Sequence, residues 1–183
     1  MINMYIWQDI TWLFFHKLSL NQYPNKKIHY ENFYNSFKTL IPCSMCRNHY
    51  INMINKESFN LIENIKKNRL FDLIIDMHNN VNIRTFKKPW SYNKARNHYN
   101  SFFLDFYSVK RFLLTYIFHN YKKNPEKTQK LFEMIISFTH IFPRVVCREK
   151  LIKYLKTIKP SKDNFEKWIT AYLLIIKNEL YSK

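Results

Sequence analysis

Two of the three cysteines in this 183-residue chain lie three positions apart, within the stretch LIPCSMCRNHY at residues 40–50. Pro42 breaks the preceding helical pattern, so Cys43 and Cys46 fall at the start of the next helix. Unpaired backbone N–H groups and the helix dipole stabilise a thiolate there, which suits thiol–disulfide exchange. His49 adds a third potential zinc ligand, although zinc needs about four. A redox disulfide, a metal site and two buried apolar cysteines all stay open for this stretch alone.

Two other groups of side chains have the spacing of a shared helix face. His78 and Asn82 in MHNNVN are four residues apart, with Asn79 beside them. Such clustered hydrogen-bonding groups suit a polar ligand, such as a nucleotide base or ribose, or else form a solvated helix terminus. Trp12 and His16 in TWLFFHK have the same spacing. They either flank a flat ring system or form part of the core.

The composition predicts an all-α protein with a buried core. Apolar residues make up 46% of the chain and aromatic residues 18%, and glycine is absent, which disfavours strand-rich folds. The net charge of +17 attracts nucleic acid, anionic membrane or an acidic partner, or else reflects lysines on solvated helix faces. No apolar stretch approaches the ~18 residues of a membrane span. The first ten residues lack a basic start and include Asp9, so we expect no signal peptide.

Apolar residues recur with helical periodicity along most of the chain. In ENFYNSFKTLI, for example, Phe33, Phe37, Leu40 and Ile41 follow the i, i+4, i+7, i+8 pattern. A stretch rich in Lys, Asn and Pro predicts a connector at about residues 84–100. The predicted helices are 6–20, 31–41, the C-x-x-C through 54, 59–81, 104–122, 127–141, 146–157 and 163–181.

The chain also matches itself at an offset of 101 residues. Twelve pairs are identical across positions 24–76, without a gap, and the helix breaks coincide. The conserved pairs include Pro24 with Pro125, Phe37 with Phe138, Pro42 with Pro143 and Cys46 with Cys147. The polar positions differ, because Arg144, Lys150 and Glu179 replace Cys43, His49 and His78. The pattern favours a duplicated four-helix unit whose second copy is a scaffold, over two helical segments of similar composition.

Taken together, the motifs resemble the Erv/ALR family of FAD-linked sulfhydryl oxidases over about residues 7–90. The order W-x-x-x-H, Y-P, P-C-x-x-C-x-x-H-[FY], H-N-x-V-N and K-P is present from Trp12 to Pro89. The resemblance implies a four- or five-helix bundle that holds FAD next to the C-x-x-C. It also implies that Cys46 contacts the flavin and that Cys43 takes electrons from a substrate dithiol. The implied FAD contacts are Trp12, His16, His49, His78, Asn79, Asn82 and Lys87, the last replaced by Lys88 if Pro89 is held in register.

The chain departs from the family pattern at three places. Gln8 and Asp9 stand where Gly-Arg often precedes the tryptophan, which puts phosphate contacts at that end in question. The cysteine that usually precedes H-N-x-V-N is missing, and so is a second C-x-C or C-x-x-C shuttle. The enzyme would therefore take electrons directly from a partner protein or small thiol. Cys147 is interpreted as the remnant of the proximal cysteine of the second copy.

These observations predict an FAD-dependent thiol oxidase that transfers electrons from protein dithiols to molecular oxygen and produces hydrogen peroxide. The predicted domains are an FAD-binding domain at 1–90, a connector at 91–103 and a degenerate helical repeat at 104–183. Because members of the family are usually dimers, the repeat would form an internal pseudo-dimer, with a homodimer as the alternative. The chain is short and lacks a shuttle cysteine pair, and these features favour the members of the family found in large DNA viruses. The competing hypotheses are a non-enzymatic basic helical protein that binds nucleic acid, and a zinc protein.

Overall fold

The computed structural model describes residues 6–181, and α-helices dominate this range, which contains no strand. The predicted all-α fold is thus confirmed. None of the helices described is both long and apolar enough to cross a membrane. The helices are α1 Ile6–Leu20, α2 Lys27–Leu40, α3 Ser44–Ile54, α4 Leu61–Lys66, α5 Leu70–Arg84, α6 Tyr92–Ser101, α7 Phe106–Asn120, α8 Pro125–Ile141, α9 Val145–Thr157 and α10 Phe165–Tyr181.

Short polar side chains begin several of these helices. The side chains of Asn60, Ser91, Asp105 and Asn124 each accept a hydrogen bond from a backbone N–H in the first turn. Such caps satisfy backbone donors that have no partner inside the helix. They are local signals that fix where a helix starts.

The prediction of one helix over 59–81 is wrong. The structure has two helices, α4 and α5, with Asn68 between them in the left-handed conformation at φ 56°. Asn tolerates this conformation better than most residues because its short polar side chain bonds locally. The N–H of Arg69 donates to the carbonyl of Asn64 across this turn, at 2.9 Å. Apolar periodicity continues on both sides of the break, which is why the sequence pattern does not reveal it.

The connector predicted at 84–100 is also largely helical, because α6 occupies Tyr92–Ser101. Ser91 caps this helix, and Ala95 and Tyr99 are buried one turn apart. They form a small second core with two residues of α5, Phe71 and Ile75. The segment therefore completes the packing around α1 and α5 instead of only linking two halves.

One core joins the two halves of the chain. A single cluster of buried apolar side chains includes residues from α1 to α5 and from α7 to α10. Phe14 of α1 stacks on Phe112 of α7 with ring centroids 4.2 Å apart. Phe33 of α2 stacks on Phe138 of α8 at 6.2 Å, and α2 packs along the length of α8. Buried aromatic pairs of this kind make a large contribution to stability.

The helix boundaries follow the offset of 101 residues. Helix α2 ends at Leu40 and α8 at Ile141, while α3 begins at Ser44 and α9 at Val145. The α2–α8 contact thus joins two segments that the offset relates to each other. The duplication, the internal pseudo-dimer and the domain boundaries stay predictions.

A hydrogen bond is repeated at the same offset. Nη1 of Arg47 donates to the carbonyl of Ile41 at 2.8 Å, and Nη1 of Arg148 donates to the carbonyl of Phe142 at 3.1 Å. Each bond ties the first turn of one helix to the end of the preceding helix. The backbone frame around the C-x-x-C therefore has a counterpart in the second half.

The shared core predicts that the two halves unfold together. Phe112→Ala removes a fully buried ring that contacts α1, α2 and α8, so we expect a loss of about 3–5 kcal/mol in the free energy of unfolding. Phe118→Ala, on the same helix but 64% exposed, is the control and is expected to change it by less than about 0.5 kcal/mol. Urea denaturation followed by circular dichroism measures both. Two separate unfolding transitions, of which Phe112→Ala affected only the one that belongs to the second half of the chain, would contradict the shared core.

Candidate functional site

The C-x-x-C lies at the start of α3 and forms a disulfide between Cys43 and Cys46. Cys43 is the N-cap residue, and the N–H of Cys46 donates to its sulfur at 3.2 Å. Both cysteines are partly buried against the core. No group of three His, Cys, Asp or Glu residues within 6–181 is arranged to hold a metal ion. The two cysteines are thus bonded to each other, and their redox activity stays a prediction.

A cavity of about 380 Å³ lies beside Cys46. It lies between α1, α3 and the end of α5, and Trp12, Cys46, His49, Val81 and Arg84 are part of its lining. The volume falls within the range of ~300–1,000 Å³ that is typical of small-molecule and cofactor sites. Apolar surface dominates the lining, and the disulfide faces it through Cys46. A flat apolar ring system fits such a space.

Arg84 fixes the orientation of His49 in this cavity. Nη2 of Arg84 lies 2.7 Å from Nε2 of His49. Because the guanidinium is permanently protonated and only donates, Nε2 of His49 must accept. This contact holds the ring of His49 beside Cys46 in the lining of the cavity.

Trp12, His16 and His78 form a compact aromatic group with Tyr99. The rings of Trp12 and His78 stack with centroids 4.2 Å apart and planes 3° from parallel. Nε2 of His16 hydrogen-bonds Nδ1 of His78 at 2.9 Å, and the other face of His16 stacks on Tyr99 at 4.1 Å. The two sequence motifs, far apart in the chain, thus meet as one unit between α1, α5 and α6.

Burial keeps these histidines neutral. It lowers the pKa of His16 well below its ordinary value, and the nearby His78 and His98 lower it further. Burial also lowers the pKa of His78 to about 4, with a smaller contribution from the positive charge of Lys87. Nδ1 of His16 is buried without a hydrogen-bond partner among the described residues. The pair therefore provides an aromatic and hydrogen-bonding surface instead of a cationic one at neutral pH.

A second cavity, of about 470 Å³, lies on the other side of Trp12. Its walls come from α1, α5, α6 and α7, and they include Asp9, Trp12, His78, Tyr99 and Arg111. Trp12 therefore lines both cavities, the apolar one beside the disulfide and this more polar one. Together they could hold a ligand with a flat apolar ring at one end and polar groups at the other, which is the chemistry of a flavin dinucleotide.

The remaining predicted contacts lie around the end of α5. The side chain of Asn79 donates to the carbonyl of Trp90 and accepts from its N–H, both at 2.8 Å. Asn82 is buried, and its carbonyl accepts from the N–H of Lys87 at 2.8 Å. In this structure Asn79 thus holds the segment after α5 in place, while Lys87 is exposed with its charge near His78. Cofactor contacts by these residues stay predictions.

The sequence did not reveal Arg84, Tyr99 or Arg111 as site residues. Arg84 lies three residues after Val81 on the face of α5 that lines the apolar cavity, a spacing that could have indicated it. Tyr99 could have been found only by recognising α6 from its Ser91 cap. Arg111 has no local signal, because the packing of α7 against α1 brings it to the cavity.

The matching positions of the second half have a different chemistry. Lys150 and Glu179, which replace His49 and His78, form an ion pair with Nζ and Oε1 2.6 Å apart. Cys147 is fully buried, and burial raises the pKa of its thiol to about 12. A buried thiol of this kind is chemically inert. The structure thus gives the second half a packed ion pair where the first has an aromatic site.

Fold and site together define a helical protein with a C-x-x-C disulfide beside an aromatic cavity. Residues 9–100, half of the chain, match the Erv1/Alr family, and the chain belongs to that family. A probable FAD-linked sulfhydryl oxidase of Acanthamoeba polyphaga mimivirus is 34% identical over 95 residues, which cover 49% of this chain and 65% of the relative. A putative FAD-linked sulfhydryl oxidase of Frog virus 3 (isolate Goorha) is 34% identical over 71 residues, which cover 39% of this chain and 46% of the relative. The matched region thus spans less than two thirds of either relative. No solved structure matches the chain.

The lowered pKa of His78 predicts that folding stability falls on acidification. The unfolded chain binds a proton at this residue near its ordinary pKa of 6.5, whereas the folded chain binds it only near pH 4. Stability is therefore fully present above about pH 6.5 and is lost as the pH falls towards 4, by up to about 2 kcal/mol at pH 5. His78→Gln is expected to flatten this dependence, measured by urea denaturation between pH 7 and 4.5. An unchanged slope in the variant would contradict the assignment.

Proposed function

We propose that this chain is an FAD-dependent sulfhydryl oxidase that oxidises protein dithiols to disulfides. The observation that carries the proposal is the position of Cys46, which lines the aromatic cavity while it is disulfide-bonded to Cys43. Membership of the Erv1/Alr family and the names of the two viral relatives support it. Molecular oxygen is the final electron acceptor in this proposal, and hydrogen peroxide is the product.

FAD fits the residues that surround the two cavities. Trp12 and His78 offer flat faces, Cys46 brings a sulfur atom, and the apolar cavity can exclude water from a ring. The cofactor would accept two electrons from the reduced cysteine pair and transfer them to oxygen. The residues that would hold it are Trp12, His16, His49, His78, Asn79, Asn82 and Lys87.

The two cysteines have different roles in this proposal. A substrate thiolate attacks the sulfur of Cys43, the Cys43–Cys46 bond breaks, and Cys46 leaves as a thiolate facing the cavity. The second substrate thiol then attacks the mixed disulfide, so that the substrate is oxidised by two electrons and Cys43 leaves as a thiolate. The N–H of Cys46 and the start of α3 stabilise the negative charge on Cys43. Two protons are released to water, and the Cys43–Cys46 bond would re-form as the electron pair leaves the two thiolates through Cys46.

The neighbouring side chains orient the reacting groups. Arg84 holds the ring of His49 in the lining of the cavity. The neutral His16–His78 pair and Trp12 form a rigid aromatic wall that does not take up protons at neutral pH. The wall can thus bind a planar ring without changing charge during turnover. Arg84 adds a fixed positive charge close to the electron-transfer site, which favours a negatively charged reduced cofactor.

In this proposal the second half replaces a partner subunit. It packs on the first half through α2 and α8, and the Lys150–Glu179 ion pair takes the place of the two histidines there. We therefore expect a monomer of 22.7 kDa that carries one FAD. Size-exclusion chromatography with light scattering and flavin absorbance measures mass and cofactor together. Twice that mass would contradict the internal pseudo-dimer, and two flavins per chain would contradict the loss of the second site.

Cofactor and cysteine roles can be tested on the purified protein. We expect a yellow preparation whose flavin absorbance is bleached anaerobically by a dithiol and restored by oxygen. Cys46→Ser and Cys43→Ser are each expected to lower oxygen uptake at least a thousandfold while leaving FAD bound, because the electron path is cut. Cys147→Ser removes an inert buried thiol and is the matched control, with expected uptake within about twofold of wild type.

Two outcomes would contradict the proposal in different ways. A colourless protein that does not take up FAD removes the oxidase function altogether. Turnover retained in Cys46→Ser overturns the assignment of the flavin-proximal thiol but leaves the cofactor in place.

A further inference from the structure

We propose that the second half of the chain takes part in cofactor binding, and that Arg111 of α7 contacts the phosphate groups of FAD. The inference rests on the proposed function, and it assigns a ligand contact to a half that has lost its own site. Four features carry it: the second cavity, the charge at position 9, the placement of α7 and the divergence of Arg111 from its counterpart.

The second cavity continues the cofactor site. Trp12 lines both this cavity and the one beside Cys46, and His78, stacked on Trp12, lines this one. A ligand that contacts Trp12 from the disulfide side can therefore extend around the ring into the space between α1, α6 and α7. Arg111 and Ser108 of α7 form the far wall of that space. The phosphate-bearing part of an extended dinucleotide would lie against that wall.

Because Asp9 is negatively charged, a phosphate group in this cavity would need a positively charged partner from another helix. Asp9 lies in the same cavity as Arg111 and close enough to His78 to raise its pKa slightly against the larger effect of burial. A carboxylate there repels phosphate, at the place where the family pattern often has arginine. The guanidinium of Arg111 is permanently charged and presents five donors in a fork that matches phosphate oxygens. Lys87, near His78, adds a second cation at this end.

Helix α7 is held firmly against α1. The hydroxyl groups of Thr11 and Tyr116 hydrogen-bond at 2.6 Å, and Phe14 stacks on Phe112 at 4.2 Å. Both contacts are buried, and Phe112 is the residue next to Arg111. The backbone of Arg111 is thus fixed relative to α1, so its side chain reaches the cavity from a rigid element.

Arg111 is specific to the second half. The offset of 101 residues relates it to Ile10, which is a buried core residue of α1. An exposed arginine at this position therefore does not repeat a feature of the first half. It is a new cation at the point where the second half meets the cavity of the first.

The test compares the affinity for FAD of variants in the full-length protein. Arg111→Gln is expected to raise the FAD dissociation constant about tenfold and to weaken its dependence on salt, because a charged contact to phosphate is lost. Lys110→Gln removes the same charge from the neighbouring exposed position, which does not line the cavity, and is expected to stay within about twofold. Asp9→Asn removes the opposing charge and is expected to tighten binding about threefold. Flavin fluorescence during reconstitution gives these constants without any turnover.

The outcomes separate this inference from the function on which it rests. If wild type binds FAD and Arg111→Gln binds it equally well, the inference is wrong and the oxidase proposal stands. If wild type does not bind FAD, the oxidase proposal fails and takes this inference with it. Should Arg111→Gln not fold, Arg111→Ser and Arg111→Lys decide, because both keep a polar side chain at an exposed position but only Lys keeps the charge. Equal FAD affinity in these two variants would then contradict the phosphate contact.

Discussion

The packing of α1 is the constraint on which the rest of the structure depends. One side of this helix carries Phe14, Phe15 and Leu18 into the common core, and α7 packs against it. The other side presents Trp12 and His16 to α5 and α6. Because the side chains of an α-helix repeat every 3.6 residues, fixing the core face also fixes the direction of the site face. Both cavities are arranged around the ring of Trp12 for this reason.

The buried part of the site is uncharged, although the protein is strongly basic. The chain has a net charge of +17, yet burial keeps His16 and His78 neutral and the disulfide carries no charge. Fixed charge comes from exposed residues at the edges, which include Arg84 near the cysteines and Asp9 and Arg111 in the second cavity. This division suits a proposed site that must accept electron pairs in an apolar space and bind phosphate at its rim.

The second half repeats part of the backbone frame of the first half but has different side chains at the polar positions. Arg148 donates a hydrogen bond to the end of α8, as Arg47 does to the end of α2. Cys147 is buried, whereas its counterpart Cys46 lines a cavity. An ion pair occupies the place of the two histidines. Apolar positions are held by the shared core, since any cavity there costs stability. The polar positions are not held by the core in this way.

The sequence by itself determined most of the helices, the cysteine pair and the family, because helical periodicity, C-x-x-C and H-N-x-V-N are local patterns that do not need the fold. It placed Trp12, His16 and His78 in the site, and the structure brings these three together. Only the tertiary structure decided the break at Asn68, the helix α6 with Tyr99, and the entry of Arg84 and Arg111 into the cavities. The physical reason is that these features depend on which helix faces pack together, and such contacts join residues too distant in sequence for a local pattern to indicate.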